Sequence, residues 1–123
     1  MRLLALLLAF LATPGLAHEM TPTYPKLGLS FTKSILFTEL SLFNAREDVQ
    51  FYKIDVFTED WQPVEFVTQY KVLKVPYNAR RNFKVYIKSS AEAVYVCSTS
   101  KHRRGWTSQT VVTSKVCSKL ARR

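Results

Sequence analysis

The sequence predicts an all-β protein: an immunoglobulin-like sandwich of about seven antiparallel strands, preceded by a signal peptide. Three observations support this prediction. Apolar and polar residues alternate with a period of two in several segments, which is typical of half-buried strands. These segments are rich in Val, Ile, Phe, Tyr and Thr, which suit a pleated surface. Polar turns separate them about every 8–12 residues, as in sandwich domains.

The N-terminal segment 1–17 has the parts of a secretory signal peptide. Arg2 provides a positive charge, residues 3–11 form an unbroken apolar run, and Ala17 is the small residue at the predicted cleavage site. A membrane anchor is the alternative, but spanning a bilayer takes about twenty apolar residues. We therefore predict cleavage after Ala17, a periplasmic or secreted location, and no transmembrane anchor in the mature protein.

Cleavage leaves 106 residues (123 − 17), which is near the common size of one domain. We predict a sandwich at 18–120 and a basic C-terminal tail at 121–123. The predicted strands lie near residues 20–30, 35–43, 49–58, 63–74 (as one strand or two), 82–88, 93–100 and 109–118. Within them, the apolar residues that share one face are Leu36, Leu40 and Leu42; Tyr52, Ile54 and Val56; and Phe83, Val85 and Ile87. Residues 59–63 are predicted to form a hairpin connection that ends at a proline.

The two cysteines, Cys97 and Cys117, fall on the last two predicted strands. They are symmetric about position 107, inside the connecting loop. An antiparallel hairpin centred there places them opposite each other, close enough to form a disulfide. Export permits that bond. Two buried free thiols are the alternative.

Positive charge is concentrated at the C-terminal end. The mature net charge is about +8, from seventeen basic residues (eighteen minus Arg2) and nine acidic ones, and the segment 101–123 holds seven basic residues and no acidic one. Such an end attracts anions such as carboxylates, phospholipid or polysaccharide. An anionic surface is therefore a candidate partner, and export argues against nucleic acid. The alternative is a solvated basic end that aids solubility.

Catalytic patterns are absent from the sequence. The two histidines, His18 and His102, have no serine, cysteine or carboxylate beside them in a known catalytic arrangement. We therefore predict a non-enzymatic protein without a cofactor. One alternative is a copper site, because His18 becomes the mature N-terminal residue and can bind copper through its amine and ring, with His102 as the second ligand.

The pattern over 18–120 resembles the N-terminal immunoglobulin-like domain of the periplasmic pilus-assembly chaperones. The similar segments are Thr21-Pro22-Thr23, Leu40-Ser41-Leu42-Phe43-Asn44, residues 72–76 with 80–85, and Thr113-Ser114-Lys115-Val116. Some members of the family also have a disulfide between the last two strands, which Cys97 and Cys117 match.

The resemblance implies a function in which the last strand adds to a protein partner, such as a pilin-like subunit, by β-strand addition. It makes Lys115 the lysine of that strand, and Val112 and Val116 its groove-filling residues. The family also anchors a terminal carboxylate with an arginine of the first strand, where this sequence has only Lys26 as a basic residue. The family has two domains, whereas this chain spans one. The alternatives are a structural subunit of a secreted or surface assembly and the copper-binding protein.

Overall fold

The computed structural model of the chain describes residues 18–101 and 113–121. The predicted signal peptide lies outside this range. Within the range, the chain forms eight strands: β1 (Glu19–Thr21), β2 (Gly28–Leu29), β3 (Ile35–Phe43), β4 (Phe51–Phe57), β5 (Val72–Lys74), β6 (Arg80–Lys88), β7 (Tyr95–Lys101) and β8 (Lys115–Lys119). No helix in the described part of the chain is long and apolar enough to span a membrane.

The strands form two four-stranded antiparallel sheets. In the first sheet, β6 pairs with β3 along its full length, while β1 and β2 share the other edge of β3. In the second sheet, the order is β5-β4-β7-β8. This division of the strands is that of an immunoglobulin-like sandwich. The predicted fold class is therefore confirmed.

The core lies between the sheets and is built by alternate residues of each strand, as the period of two predicts. From the first sheet, Leu40 and Leu42 of β3 are buried, with Val85 of β6 beside them. From the second sheet, Ile54 and Val56 of β4 face them. Alternation arises because successive side chains of a strand point to opposite faces of the sheet.

The first predicted strand is divided. Pro22 and Pro25 lie between β1 and β2, and a proline has no N–H to donate to a ladder. There the chain leaves β3 and pairs with the end of β8: the N–H of Lys119 donates to the carbonyl of Thr23 at 3.0 Å, and the N–H of Ala121 to that of Pro25 at 2.9 Å. We call residues 23–26 the strap. The pairing also extends one residue into the predicted C-terminal tail.

The predicted strand at 63–74 is wrong for most of its length, since only β5 forms there. Pro63 bridges to Phe57 in the second sheet, Val67 then bridges to Tyr86 in the first, and β5 returns to the second. Because this segment crosses between the sheets, no continuous ladder forms along it. The predicted hairpin connection at 59–63 is present, closed by a 2.9 Å hydrogen bond from the N–H of Thr58 to the carbonyl of Gln62.

Candidate functional site

The last strand, β8, is the edge of the second sheet and pairs with β7. Hydrogen bonds at its two ends show which main-chain groups point toward β7. The N–H of Ser100 donates to the carbonyl of Ser114 at 2.9 Å, and the N–H of Leu120 donates to that of Val94 at 2.7 Å. The even-numbered residues of β8 therefore face β7. The odd-numbered residues face outward.

Outward-facing groups of β8 fall into two sets. The N–H of Lys119 is used by the strap, whereas no strand or strap residue within 18–101 and 113–121 pairs with the outward groups of Lys115 and Cys117. Strand β1 lies close to β8 but pairs with β3 instead. We call the main-chain groups of Lys115 and Cys117 the open edge, because no described strand pairs with them. Unpaired N–H and C=O groups along an edge form a template for another strand.

Side chains of β8 alternate between the core and solvent. Val116 is partly buried and packs against the core, and Ser118 is buried. Lys115 and Lys119 are exposed on the outer face. Two lysines on an edge strand discourage pairing between identical copies, because like charges on adjacent strands repel.

The disulfide between Cys97 and Cys117 is present, which confirms the prediction. The two residues lie directly opposite each other in the β7–β8 register, with Cα atoms 4.1 Å apart. They occupy a pair without main-chain hydrogen bonds between them, which is the arrangement that brings opposing side chains closest. The bond therefore fixes β8 to β7 while the main chain of Cys117 points outward.

A buried polar network fixes Ser114, the residue just before β8. The Ser114 N–H donates to Oγ of Ser100 at 2.8 Å, and its own Oγ lies 3.1 Å from Nδ1 of His18. Nη1 of Arg46 reaches the same oxygen at 3.5 Å. The other ring nitrogen of His18, Nε2, lies 2.7 Å from Oγ of Ser98. The residue before β1 and the start of β8 are thus held together.

Electrostatics in this network favour a neutral histidine. Burial lowers the pKa of His18 below its ordinary 6.5, and the nearby charge of Arg46 lowers it further, against a hydrogen bond to the Ser98 carbonyl that raises it. Arg46 itself is paired with Asp48 at 2.6 Å, and this bond raises the pKa of the guanidinium. Burial also raises the pKa of Tyr52, whose ring lies 4.5 Å from that of His18, to about 12.

The copper hypothesis stays a prediction. Both ring nitrogens of His18 have serine partners, and its predicted co-ligand, His102, lies outside the described residues. Among the residues that the structure describes, no group of three or more His, Cys, Asp or Glu side chains is placed to hold a metal ion.

Lys115 extends over aromatic rings on the outer face of the second sheet. Its Nζ lies 4.5 Å from the ring centroid of Phe57 and 5.2 Å from that of Trp61. The Trp61 ring in turn stacks on Tyr95 with centroids 4.3 Å apart. A cation over a ring face is attracted to it, so these contacts hold the ammonium group near the surface of the sheet.

Lys26, the other predicted anchoring cation, is not beside Lys115. It bridges to Ala121, six residues beyond Lys115, which at the rise of an extended strand is about 20 Å away. Instead it lines a groove together with Lys88. Val112 lies outside the described residues. Of the predicted partner-binding residues, Lys115 and Val116 are therefore together on β8, and Lys26 is elsewhere.

Two features of the site were missed by the sequence analysis. The strap has a signal, because prolines at 22 and 25 exclude a continuous first strand. The network around Ser114 has none, since serines and a histidine far apart in sequence carry no pattern that predicts their contact. Both features determine where the open edge begins and ends.

Comparison with solved structures finds the same fold in pilus chaperones, although no family model matches the sequence and no curated protein matches it. The Escherichia coli chaperone DraB is 15% identical, with a TM-score of 0.64 over 85% of this chain and 53% of that chain. A chain from the Salmonella enterica SafA pilin in complex with the SafB chaperone is also 15% identical, with a TM-score of 0.63 over 89% of this chain and 55% of that one. This chain thus spans about half the length of the chains it matches. The likeness shows the immunoglobulin-like fold.

Proposed function

We propose that this chain is an exported binding protein that captures a protein partner by β-strand addition along the open edge of β8. The observation that carries the proposal is the outward direction of the main-chain groups of Lys115 and Cys117 on a strand that ends its sheet. Main-chain hydrogen bonds to such an edge provide affinity without requiring a particular partner sequence.

Preorganisation supports the proposal. The disulfide fixes the middle of β8, the network around Ser114 fixes its start, and the strap fixes its end. A template that is already rigid loses little conformational entropy when a partner binds, so more of the contact energy appears as affinity. The partner strand orders on β8, which itself stays in place.

The partner class follows from the edge and from the structural neighbours. One neighbour belongs to a complex of the SafA pilin with the SafB chaperone, and we propose a pilin-like segment as the partner here. Lys115 offers that segment a cation on the outer face. The part of Val116 that the core leaves exposed, with Val112 upstream, offers apolar contacts. The disulfide is consistent with the oxidising periplasmic or extracellular location that the signal peptide predicts.

The deciding experiment compares two changes at one residue. Lys115→Pro removes the outward N–H and leaves the ladder to β7 intact, because Lys115 does not donate to β7. Lys115→Ala removes only the side chain. Affinity-tagged proteins are used to isolate the partner from the native host's periplasm or medium, and the affinity is then measured with the purified partner. We expect Lys115→Pro to bind at least tenfold more weakly than Lys115→Ala, since an added strand loses a hydrogen bond and meets the proline ring.

Equal binding by the two variants would reject strand addition at this edge. The second test compares the partner affinities of two variants. Val116→Asp places a charge against the core side of β8, and Lys119→Asp places the same charge on the outer face. Circular dichroism establishes that each variant is folded before its binding is interpreted.

A further inference from the structure

A groove of about 600 Å³ opens at the end of the sandwich where the chain turns from β2 into β3. Three strands of the first sheet provide its apolar walls. Leu27 and Leu29 come from around β2, Leu36 from β3 and Ile87 from β6. Small-molecule sites are commonly concave, mostly apolar and about 300–1,000 Å³ in volume. The groove therefore has the size and lining of a ligand site.

Charge at the groove has one sign. Lys26 and Lys88 are the charged residues that line it among those that the structure describes, and both are exposed. The acidic residue nearest to Lys88 in the sequence is Glu92, which is exposed in the neighbouring turn and does not line the groove. The described residues that line the groove thus include two cations and no acidic residue.

Apolar surface continues outside the groove. Leu29 is 69% exposed and Phe31, at the turn that follows, is 100% exposed. An exposed apolar surface beside a concave one is typical of a binding site. A ligand with an alkyl chain that lies in the groove would cover part of Leu29.

We infer that this groove binds a single-chain amphiphile with an anionic headgroup, such as a fatty acid. Its alkyl chain lies between Leu29, Leu36 and Ile87, and its headgroup meets Lys26 and Lys88. A small hydrophilic anion leaves the apolar walls in contact with water, and a cationic amphiphile is repelled by both lysines. The site is distinct from the open edge of β8 and does not depend on strand addition.

The probe is laurate, titrated into the mature protein by calorimetry below the concentration at which it forms micelles. Dodecyltrimethylammonium has the same chain with a cationic head, dodecanol has a neutral head, and acetate lacks the chain. We expect saturable laurate binding at least tenfold tighter than that of dodecyltrimethylammonium, and no saturable acetate binding. Equal affinity for laurate and dodecyltrimethylammonium would overturn the inference.

Variants locate the binding. Lys26→Ala/Lys88→Ala should weaken laurate about tenfold and leave dodecanol unchanged, because charge-assisted contacts are lost while the walls stay intact. The matched control, Lys74→Ala/Lys101→Ala, removes the same charge from exposed positions outside the groove and should bind laurate as the wild type does. An equal loss in both double variants would show nonspecific charge attraction and overturn the assignment.

Two further changes test the groove itself. Ser89→Trp places a large side chain at an exposed residue that lines it, and should abolish laurate binding. Lys26→Glu/Lys88→Glu should reverse the preference toward dodecyltrimethylammonium. Thermal unfolding monitors the fold of both. Unchanged laurate binding by a folded Ser89→Trp protein would place the ligand elsewhere and contradict the inference.

Discussion

The main-chain N–H of Lys119 donates a 3.0 Å hydrogen bond to the carbonyl oxygen of Thr23. This contact closes the outer edge of β8 at its C-terminal end, while the outward groups of Lys115 and Cys117 have no such partner among the described residues. A strand that adds to β8 therefore pairs along the open edge and ends where the strap begins. The strap defines how far the template extends.

Proline at two outward positions of β8 should have different effects on stability. Lys119→Pro removes the hydrogen bond to Thr23, and Lys115→Pro removes no hydrogen bond within the described structure. We expect Lys119→Pro to lower the free energy of unfolding by about 1 kcal/mol more than Lys115→Pro does. Urea unfolding of both, with Lys119→Ala and Lys115→Ala as side-chain controls, measures this difference. Equal losses would mean that the hydrogen bond between Lys119 and Thr23 contributes nothing to stability.

Removal of the disulfide should destabilise the domain. The bond closes a loop with a sequence separation of 20 residues. In the chain-entropy model, a loop of this size stabilises by roughly 3 kcal/mol. We expect the free energy of unfolding of Cys97→Ala/Cys117→Ala, measured with urea, to be lower than that of the wild type by about that amount. The reduced wild type should behave similarly. Mass spectrometry of the alkylated, unreduced protein provides the control, and two alkylated thiols there would contradict the bond itself.

Stability should fall as the pH drops below the ordinary pKa of histidine. The pKa of His18 is lowered in the folded state by burial, so the unfolded chain binds a proton more readily from about pH 6.5 downward. Stability linked to His18 is therefore present above pH 6.5 and is lost as the pH falls through the lower folded-state pKa. Unfolding midpoints between pH 5 and 7.5 measure the effect. His18→Gln should flatten the profile over this range.

The second histidine is the control for that profile. A His102→Gln protein should retain the wild-type dependence on pH. If His102→Gln flattens the profile and His18→Gln does not, the assignment to His18 is wrong.

The side chain of Asn44 should contribute more to the free energy of unfolding than the hydroxyl of Tyr52, which it contacts. Its Nδ2 donates to the carbonyls of Val49 and Val75 at 2.6 and 2.9 Å, and its Oδ1 accepts from Tyr52 Oη at 2.6 Å. Asn44→Ala leaves two buried carbonyls without that donor, each costing about 1–3 kcal/mol. Tyr52→Phe loses one hydrogen bond, or about 1 kcal/mol. Urea unfolding that ranks the two variants in the opposite order would contradict this network.

Much of the fold was predictable because it depends on local periodicity. The alternation in 35–43, 49–58 and 82–88 places β3, β4 and β6 with their buried faces correctly assigned. The symmetry of Cys97 and Cys117 about one loop predicted both the final hairpin and its disulfide. These signals are contained within single strands or one hairpin, where the period of the side chains directly reflects burial.

Features that depend on distant contacts were not predictable in this way. The segment 63–74 has strand-like composition, but it divides its pairing between two sheets, and composition does not reveal which sheet a residue faces. The resemblance to the pilus chaperones made Lys115 one anchoring cation and left Lys26 as the only basic residue near the position of the other. Their separation depends on the parallel bridge between Lys26 and Ala121, which joins residues 95 positions apart in the sequence. The location of Lys26 and Lys88 beside one groove likewise appears only in three dimensions.

Hydrogen exchange of the β8 amides tests strand addition most directly. In the free protein, the outward N–H groups of Lys115 and Cys117 should exchange quickly, whereas those of Val116 and Ser118, which face β7, should be protected. In the purified complex with the captured partner, we predict that Lys115 and Cys117 become protected and that Val116 and Ser118 change little. Binding that leaves the exchange of Lys115 and Cys117 as fast as in the free protein would contradict capture by strand addition.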